Sequence, residues 1–351
     1  MKDYLIIGHG LAGALLSQSL LDKNLQITVL DTPQSNHSST VAAGLYNPVT
    51  GRKMVKTWMA DEHFPVIEPF YRALEIKLGS RFLYDIGIYR PFVSFEEQND
   101  WDAQQSDSKY RPFISSIHKE SHQAVQLQDP YGGIHLQPAG YIRIPQLLAD
   151  SRDYLITRNC YREEKFDEGQ LTIEPDHVQY GKESYRQLIY CNGVSALESK
   201  LFGWIPLRPV KGEIIRAEMH KKIDTIYNRG VFVIPIGNHQ VRIGSNYQNH
   251  FDDLSPTEAA QTEITKKLNN LLHEPTKVID IVAGVRPATK DRRPIIGKHP
   301  EYEHIYVFNG FGSKGVSLIP YFTSRFIAFV EDQQPMSQDV DVSRFYSLYS
   351  S

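Results

Sequence analysis

Cysteine is nearly missing from this chain. Cys160 and Cys191 are the two present in 351 residues, too few and too far apart for a disulfide framework or a cysteine-ligated metal centre. They read as buried thiols of a reducing compartment. Long apolar runs are missing as well, none approaching the roughly 20 residues that cross a bilayer, so no membrane span is predicted. Neither sign of charge is in excess. With 38 Lys+Arg against 41 Asp+Glu and a formal charge of -3, the chain lacks the broad electropositive surface that phosphate backbones require, and nucleic acid is a disfavoured partner. Three motif types are absent: a Ser/His/Asp nucleophile arrangement, a GxxxxGK[ST] phosphate loop, and histidines at metal-ligand spacing. Their absence argues against a hydrolase, an NTPase and a metalloenzyme, and predicts no metal.

What remains is an ordinary folded composition, 41% hydrophobic with 23 Gly and 20 Pro. Its length exceeds what one core usually supports, which predicts two lobes around a shared cleft. The opening MKDYLIIGHGLAGALLSQSLL superficially resembles a secretion signal. Asp3 in the charged region, three glycines in the apolar stretch and a second strand reaching Val29 favour a folded domain instead, and a cytoplasmic location is expected.

That opening reads as one strand–helix–strand unit, with a strand at 4–7, a helix at 11–21 and a strand at 27–30. Between the first two lies GHGLAG. Gly8 suits the tight turn, Gly10 a close backbone approach to pyrophosphate, and Gly13 close packing of helix on sheet. The helix directs its unpaired N–H groups and positive dipole end at the phosphates. Asp31 follows at about the 20-residue spacing of a carboxylate that accepts from ribose hydroxyls, and disfavours a 2′-phosphate. A dinucleotide site is predicted. His9, inside the turn, reads as a packing group rather than a base.

Further along, 32–54 reads as a Ser/Thr/Gly/Pro-rich loop and 61–78 as a helix. Residues 82–134 read as short strands separated by polar segments such as FEEQNDWDAQQSDSK. A helix at 144–155 and strands at 171–173 and 187–191 come next. The runs EIIRAE, VFVIPIG and QVRIGS alternate like antiparallel strands, with Gly237-Asn238 as a hairpin turn between the last two. A polar helix at 255–272, a strand at 305–308, the turn GFGSKG and a helix through 330 complete the chain.

Two distal segments separate FAD from NAD. GVRPATKDRRPIIG at 284–297, followed by HIYVFNGFGSKGVSLIP at 304–320, resembles the D-amino-acid oxidase and glycine oxidase family of FAD enzymes. The matches SSTVAAGLYNP (38–48), GYIRIPQLL (140–148), LIYCNG (188–193), RPVKGEIIR (208–216) and VFVIPIGNHQVRIGS (231–245) occur in the family's order. The resemblance implies an α/β fold with two parts. A Rossmann-like FAD-binding domain would be assembled from 1–80, 140–205 and 280–351, and an antiparallel-sheet substrate domain from 81–139 and 206–279.

Carried over residue by residue, the resemblance places non-covalent FAD along Gly8, Gly10, Leu11, Ala12 and Gly13, with Asp31 at the ribose. Ser38, Ser39, Ala42, Gly44 and Leu45 would follow the pyrophosphate and flavin edge, and Gly193 would lie near the adenosine half. The turn opened by Gly310 and running through Gly312, Ser313, Lys314, Gly315, Val316 and Ser317 would meet the flavin's pyrimidine end. Backbone N–H groups there, aided by Lys314, would stabilise charge that develops on reduction. Arg286 of the Gly-x-Arg-Pro motif would clamp a substrate carboxylate, which a planar guanidinium does better than an ammonium. Phe232 stands where the family often has tyrosine, which removes a hydroxyl near that carboxylate. Tyr46, Arg52 and Lys53 are further candidates for lining the pocket.

The implied activity is oxidation of the C–N bond of a small amino acid or N-alkyl amino acid to an imine, by hydride transfer to flavin N5. Molecular oxygen or another acceptor would take the electrons. Two alternatives stay open: flavin-dependent oxidation of a carboxymethylaminomethyl group on tRNA, as in the bifunctional tRNA-modifying enzyme, and a non-catalytic FAD-binding protein. Oligomerisation also stays open.

Overall fold

The computed structural model describes residues 1–32, 38–51, 53–122 and 126–349. Strands too apolar to face water organise its first layer. Tyr161–Glu163, Ile27–Asp31, Lys2–Ile7, Glu183–Tyr190 and Ile305–Asn309 lie side by side and parallel. Continuous apolar runs such as YLII and IYVF suit strands covered on both faces. Alternation sends Tyr4 and Ile6 into one core cluster and Leu5 and Ile7 into another. The helices Leu11–Asp22, Ala60–Leu78 and Gly315–Glu331 cover the first face, and the buried Tyr71 hydroxyl pins the middle one by donating to the Val316 carbonyl at 2.9 Å. Short antiparallel strands fringe this sheet.

The second sheet has eight strands. From one edge its order is Thr276–Thr289, Leu207–Met219, Gln240–Gly244, Val231–Gly237, Ile226–Arg229, Ile88–Pro91, Gly133–Leu136 and Ile114–His118. All neighbours are antiparallel except Ile226–Arg229 with Ile88–Pro91. A small three-stranded sheet, Leu45–Tyr46, Gly140–Ile142 and Leu83–Tyr84, sits apart from both. No helix among the described residues is long and apolar enough to cross a membrane.

Several elements differ from expectation, each for a local reason. The polar segment after Phe82 contains a helix, Phe95–Gln104, because Ser94 accepts from the Glu97 N–H while the Glu97 carboxylate accepts from the Val93 N–H at 2.9 Å. Such reciprocal capping starts a helix whatever its polarity. The hairpin turn lies one residue later than expected, at Asn238-His239, both left-handed with φ of 50° and 60°. Two consecutive left-handed residues match the twist of the flanking strands. The expected boundary at residue 280 falls inside Thr276–Thr289, a strand of the second sheet. Both cysteines are free, but Cys160 is only partly buried. Three histidines that show no shared sequence spacing meet in space: His118, His122 and His135 bring ligand nitrogens within 4.8 Å of one another.

A buried ion pair secures the second sheet's helix. Lys211 and Glu213 are 2% and 0% exposed, with nitrogen and oxygen 3.5 Å apart. Glu213 accepts from the Thr257 N–H at 2.8 Å and from its hydroxyl at 3.1 Å, and Lys211 donates to the Ser255 carbonyl. Thr257 caps Glu258–Asn269. Replacing Glu213 with alanine strands a buried ammonium, so urea denaturation should show a loss of about 3–5 kcal/mol. The exposed Lys267–Glu263 pair should contribute no more than about 0.5 kcal/mol in the same assay.

Candidate active site

The first turn makes a cradle by close packing. Gly8 has φ of 96°, and a Cβ on it would lie 3.0 Å from the Cys191 carbonyl oxygen. A Cβ on Gly13 would lie 1.9 Å from the Gly8 carbonyl oxygen, so the helix start touches the turn backbone directly. At Gly10 an added Cβ meets only the Ser39 Oγ, at 3.3 Å. That glycine therefore keeps space open for a ligand rather than for the fold. The Leu11 N–H donates to Ser39 Oγ at 3.0 Å, and the Ala12 and Gly13 N–H groups are those that helix geometry leaves for an anion. No acidic residue occupies the first helical turn. One oxygen of Asp31 accepts from the His9 N–H at 2.9 Å, and the other lies 3.4 Å from the Tyr161 hydroxyl. An open cradle, free helical N–H groups and a carboxylate at the strand end fit a dinucleotide. His9 itself is buried, with Nε2 3.1 Å from the Ser151 hydroxyl. Desolvation, with a smaller contribution from Arg152, pushes its pKa down to about 3.

The Ser38–Val41 helix and the residues after it connect this cradle to the second sheet. A Cβ on Gly284 would stand 3.0 Å from that of Val41, and Arg242 donates to the Ala42 carbonyl at 3.2 Å. Gly44, with φ of 79°, lies against the Ile142 carbonyl, which a Cβ would approach to 1.9 Å. Leu45 is partly accessible. Tyr46 is 2% exposed and donates to Asp85 at 3.2 Å, so alternation along Leu45–Tyr46 turns it into the core. Arg52 lies outside the described residues, and no contact places Lys53 at the site.

Sheet register decides which side chains share that face. Val282, Ile214, Gly244 and Phe232 form one row across four strands, and Gly284 pairs with Gly212 in the next. Two residues beyond Gly284 stands Arg286, on the face that meets Val41. Its guanidinium lies where a Gly212 side chain would be: a Cβ there would come within 2.2 Å of both terminal nitrogens. Nη2 donates to the Ser245 hydroxyl at 2.9 Å, and the carbon stacks 4.6 Å from the Tyr247 ring centre. Nη1 is buried with no partner among the described residues. Burial lowers the guanidinium's pKa from its ordinary value. A buried cation with one donor nitrogen unmatched has the chemistry to accept an oxyanion. Phe232 reaches over Gly244, whose Cβ would lie 3.0 Å from the ring's Cζ.

The glycine turn closes the site from the first layer. Gly312 donates to the Pro287 carbonyl at 3.1 Å, next to Arg286. Gly310 and Gly312 have φ of 77° and 53°. Lys314 is the N-cap of Gly315–Glu331, whose first turn contains Val316 and Ser317. Desolvation pushes its ammonium down to about 8. Ser313 is exposed beside it. Asn309 donates to the Gly193 carbonyl at 2.8 Å while accepting from Gly310 N–H, so one buried amide joins the two turns.

Sequence reasoning missed Gly212, Ser245, Tyr247, Arg242 and Asn309. The signal for Gly212 was available, since a glycine in the middle of a long strand marks a close approach by another group. Ser245 and Asn309 had none.

Residues 3–328 match the family model described as "FAD dependent oxidoreductase". The chain is 23% identical to glycine oxidase of Pseudomonas aeruginosa, over 90% of this chain and 91% of that protein. It is 21% identical to the tRNA 5-methylaminomethyl-2-thiouridine biosynthesis bifunctional protein MnmC of Legionella pneumophila, over 92% of this chain and 53% of that protein, and so spans about half its length. The crystal structure of glycine oxidase from Geobacillus kaustophilus superposes with a TM-score of 0.76 at 17% identity, covering 98% and 97% of the two chains.

The two glycines of the cradle should separate in experiment. Gly13→Ala forces backbone apart and should lower stability by about 2 kcal/mol or more, read as a fall in Tm. Gly10→Ala should keep the Tm of the dinucleotide-free protein and lose at least about tenfold in dinucleotide affinity. His9 contributes a pH dependence of known sign. Its folded pKa of about 3 lies below the unfolded value of 6.5, so the unfolded state binds more protons between them and stability falls as pH drops through that window. His9→Gln should flatten the fall in Tm between pH 6.5 and 4.

Proposed function

The chain belongs to the FAD dependent oxidoreductase family, and on that footing we propose that it oxidises the C–N bond of a small amino acid or N-alkyl amino acid to an imine. The unmatched Nη1 of Arg286, buried on the face toward the flavin-edge loop, carries this reading. FAD, held by the turn at Gly8–Gly13 and the turn at Gly310–Gly315, would supply the two-electron acceptor chemistry for this oxidation.

The chain's own residues bind and position. Ser245 holds Nη2, so the remaining donor edge of Arg286 meets the substrate carboxylate in one orientation. Gly212 leaves the space the guanidinium occupies, and Tyr247 covers its outer side. Phe232 supplies an apolar wall where a hydroxyl would otherwise bind the carboxylate, leaving the arginine as its main anchor. Lys314, at the N-terminus of Gly315–Glu331, would bring positive charge to the pyrimidine end of a bound flavin. Once the amine is neutral, proton removal by a protein base is not required. The imine is released to water, and oxygen or another acceptor takes the electrons.

The second reading, oxidation of a carboxymethylaminomethyl group on tRNA, draws on the match to about half of the bifunctional relative. The same guanidinium would hold that carboxylate. Stopped-flow bleaching of the flavin by glycine, sarcosine, D-amino acids and related N-alkyl amino acids tests the first reading, and bleaching by the modified tRNA alone selects the second.

Arg286→Ala should lower kcat/KM at least about a hundredfold, with the flavin spectrum unchanged, since a charge-assisted hydrogen-bond pair is lost. Arg286→Lys should recover little of it. Gly212→Ala pushes only the mobile end of a side chain, so it should fold normally yet raise KM; an unchanged KM would sink the assignment of Arg286.

A further inference from the structure

The far edge of the second sheet has a feature that amine oxidation does not use. Ile114–His118 is the edge strand, and its pairing with Gly133–Leu136 sets Ser116 opposite His135 and His118 opposite Gly133. His118 ends the edge strand and His122 follows four residues later. The His118 and His122 rings stack with centroids 3.8 Å apart, and the His135 ring lies 5.4 Å and 5.7 Å from them. One ligand nitrogen from each falls within 4.8 Å of the others.

This cluster is held from beneath. Tyr89 is fully buried, with its ring 4.7 Å from that of His135. Its hydroxyl donates to Asp129 at 2.8 Å. Asp129 also accepts from the His122 N–H at 2.9 Å and from the Ser121 hydroxyl, which fixes the backbone that presents His122. Gly132 lets the chain turn under the edge strand, since a Cβ there would lie 1.9 Å from the His118 carbonyl oxygen. Above, a surface depression of about 430 Å³ lined by Ile117–His122 gives an ion a way in and room for a further ligand.

We propose that His118, His122 and His135 bind one divalent first-row transition metal ion of the zinc class, outside the flavin site. Imidazole nitrogens suit Zn²⁺, Ni²⁺ and Cu²⁺ and not Mg²⁺ or Ca²⁺. Tetrahedral bonds of about 2.0–2.1 Å put ligand nitrogens about 3.4 Å apart, so small side-chain rotations suffice. Three histidines leave one position for water or an external anion. Arg286 lies on the opposite edge strand, about 30 Å away along the sheet at roughly 4.8 Å per strand. The ion therefore clamps the edge strand to the loop that follows it rather than entering the oxidation.

The test uses untagged, FAD-loaded protein and Zn²⁺ in competition with a chromophoric chelator. One equivalent of Zn²⁺ per chain should bind, undiminished by millimolar Mg²⁺. His122→Ala, at the exposed member, should weaken binding at least about tenfold, and His135→Ala likewise. His177→Ala, at a partly buried histidine elsewhere, should change nothing. The flavin spectrum reports folding in every variant, and if His135→Ala fails to load FAD, His122→Ala decides alone. No Zn²⁺ bound at micromolar concentration, or full binding by the His118/His122/His135 triple alanine variant, overturns the proposal.

Discussion

A guanidinium taken out of water with one of its nitrogens unmatched is the constraint around which this site is organised. A buried cation is costly unless it is paired and hydrogen-bonded, so Arg286 requires neighbours with three properties. Backbone without a side chain must make room for it, which Gly212 does. A hydroxyl must fix one nitrogen, which Ser245 does. An aromatic face must screen it, which Tyr247 does. These partners hold the side chain without neutralising it, and a carboxylate would complete the set.

The first layer meets that constraint with a different device. Two of its helices follow glycine turns, and at Gly13 the packing is so tight that the Gly8 carbonyl oxygen occupies the position of a missing side chain. Two such turns, before Leu11–Asp22 and before Gly315–Glu331, present helix N-termini, and the Asn309 amide ties the second to the turn at Gly193. The Gly312 N–H then joins this layer to the carbonyl beside Arg286. The two turns and the strand that carries Arg286 are thus linked by one buried side-chain amide and one backbone hydrogen bond, which suits chemistry that depends on placement.

The first strand–helix–strand unit was legible because every local signal in it agreed: apolar runs, glycines at three fixed places and an acid at the strand end. The helix Phe95–Gln104 was not, since its sequence is polar and its stability comes from the capping exchange between Ser94 and Glu97. Burial at Leu45–Tyr46 was hidden for another reason. Its place in sequence gives no information about which side of a two-residue strand is buried, and Tyr46 takes that side.

The sequence by itself determined that a dinucleotide has a place here, because turns, helix starts and strand ends are local and leave marks at fixed spacing, while Arg286 was singled out by the resemblance of the GVRP segment to a known family. Tertiary structure decided what stands around that arginine and which histidines meet. Gly212, Ser245 and Arg286 are far apart in the chain, as are His118 and His135, and meet only through antiparallel register, in which a shift of one residue would turn every side chain to the other face. That register is set by burial across the whole sheet, and no short stretch of sequence contains it.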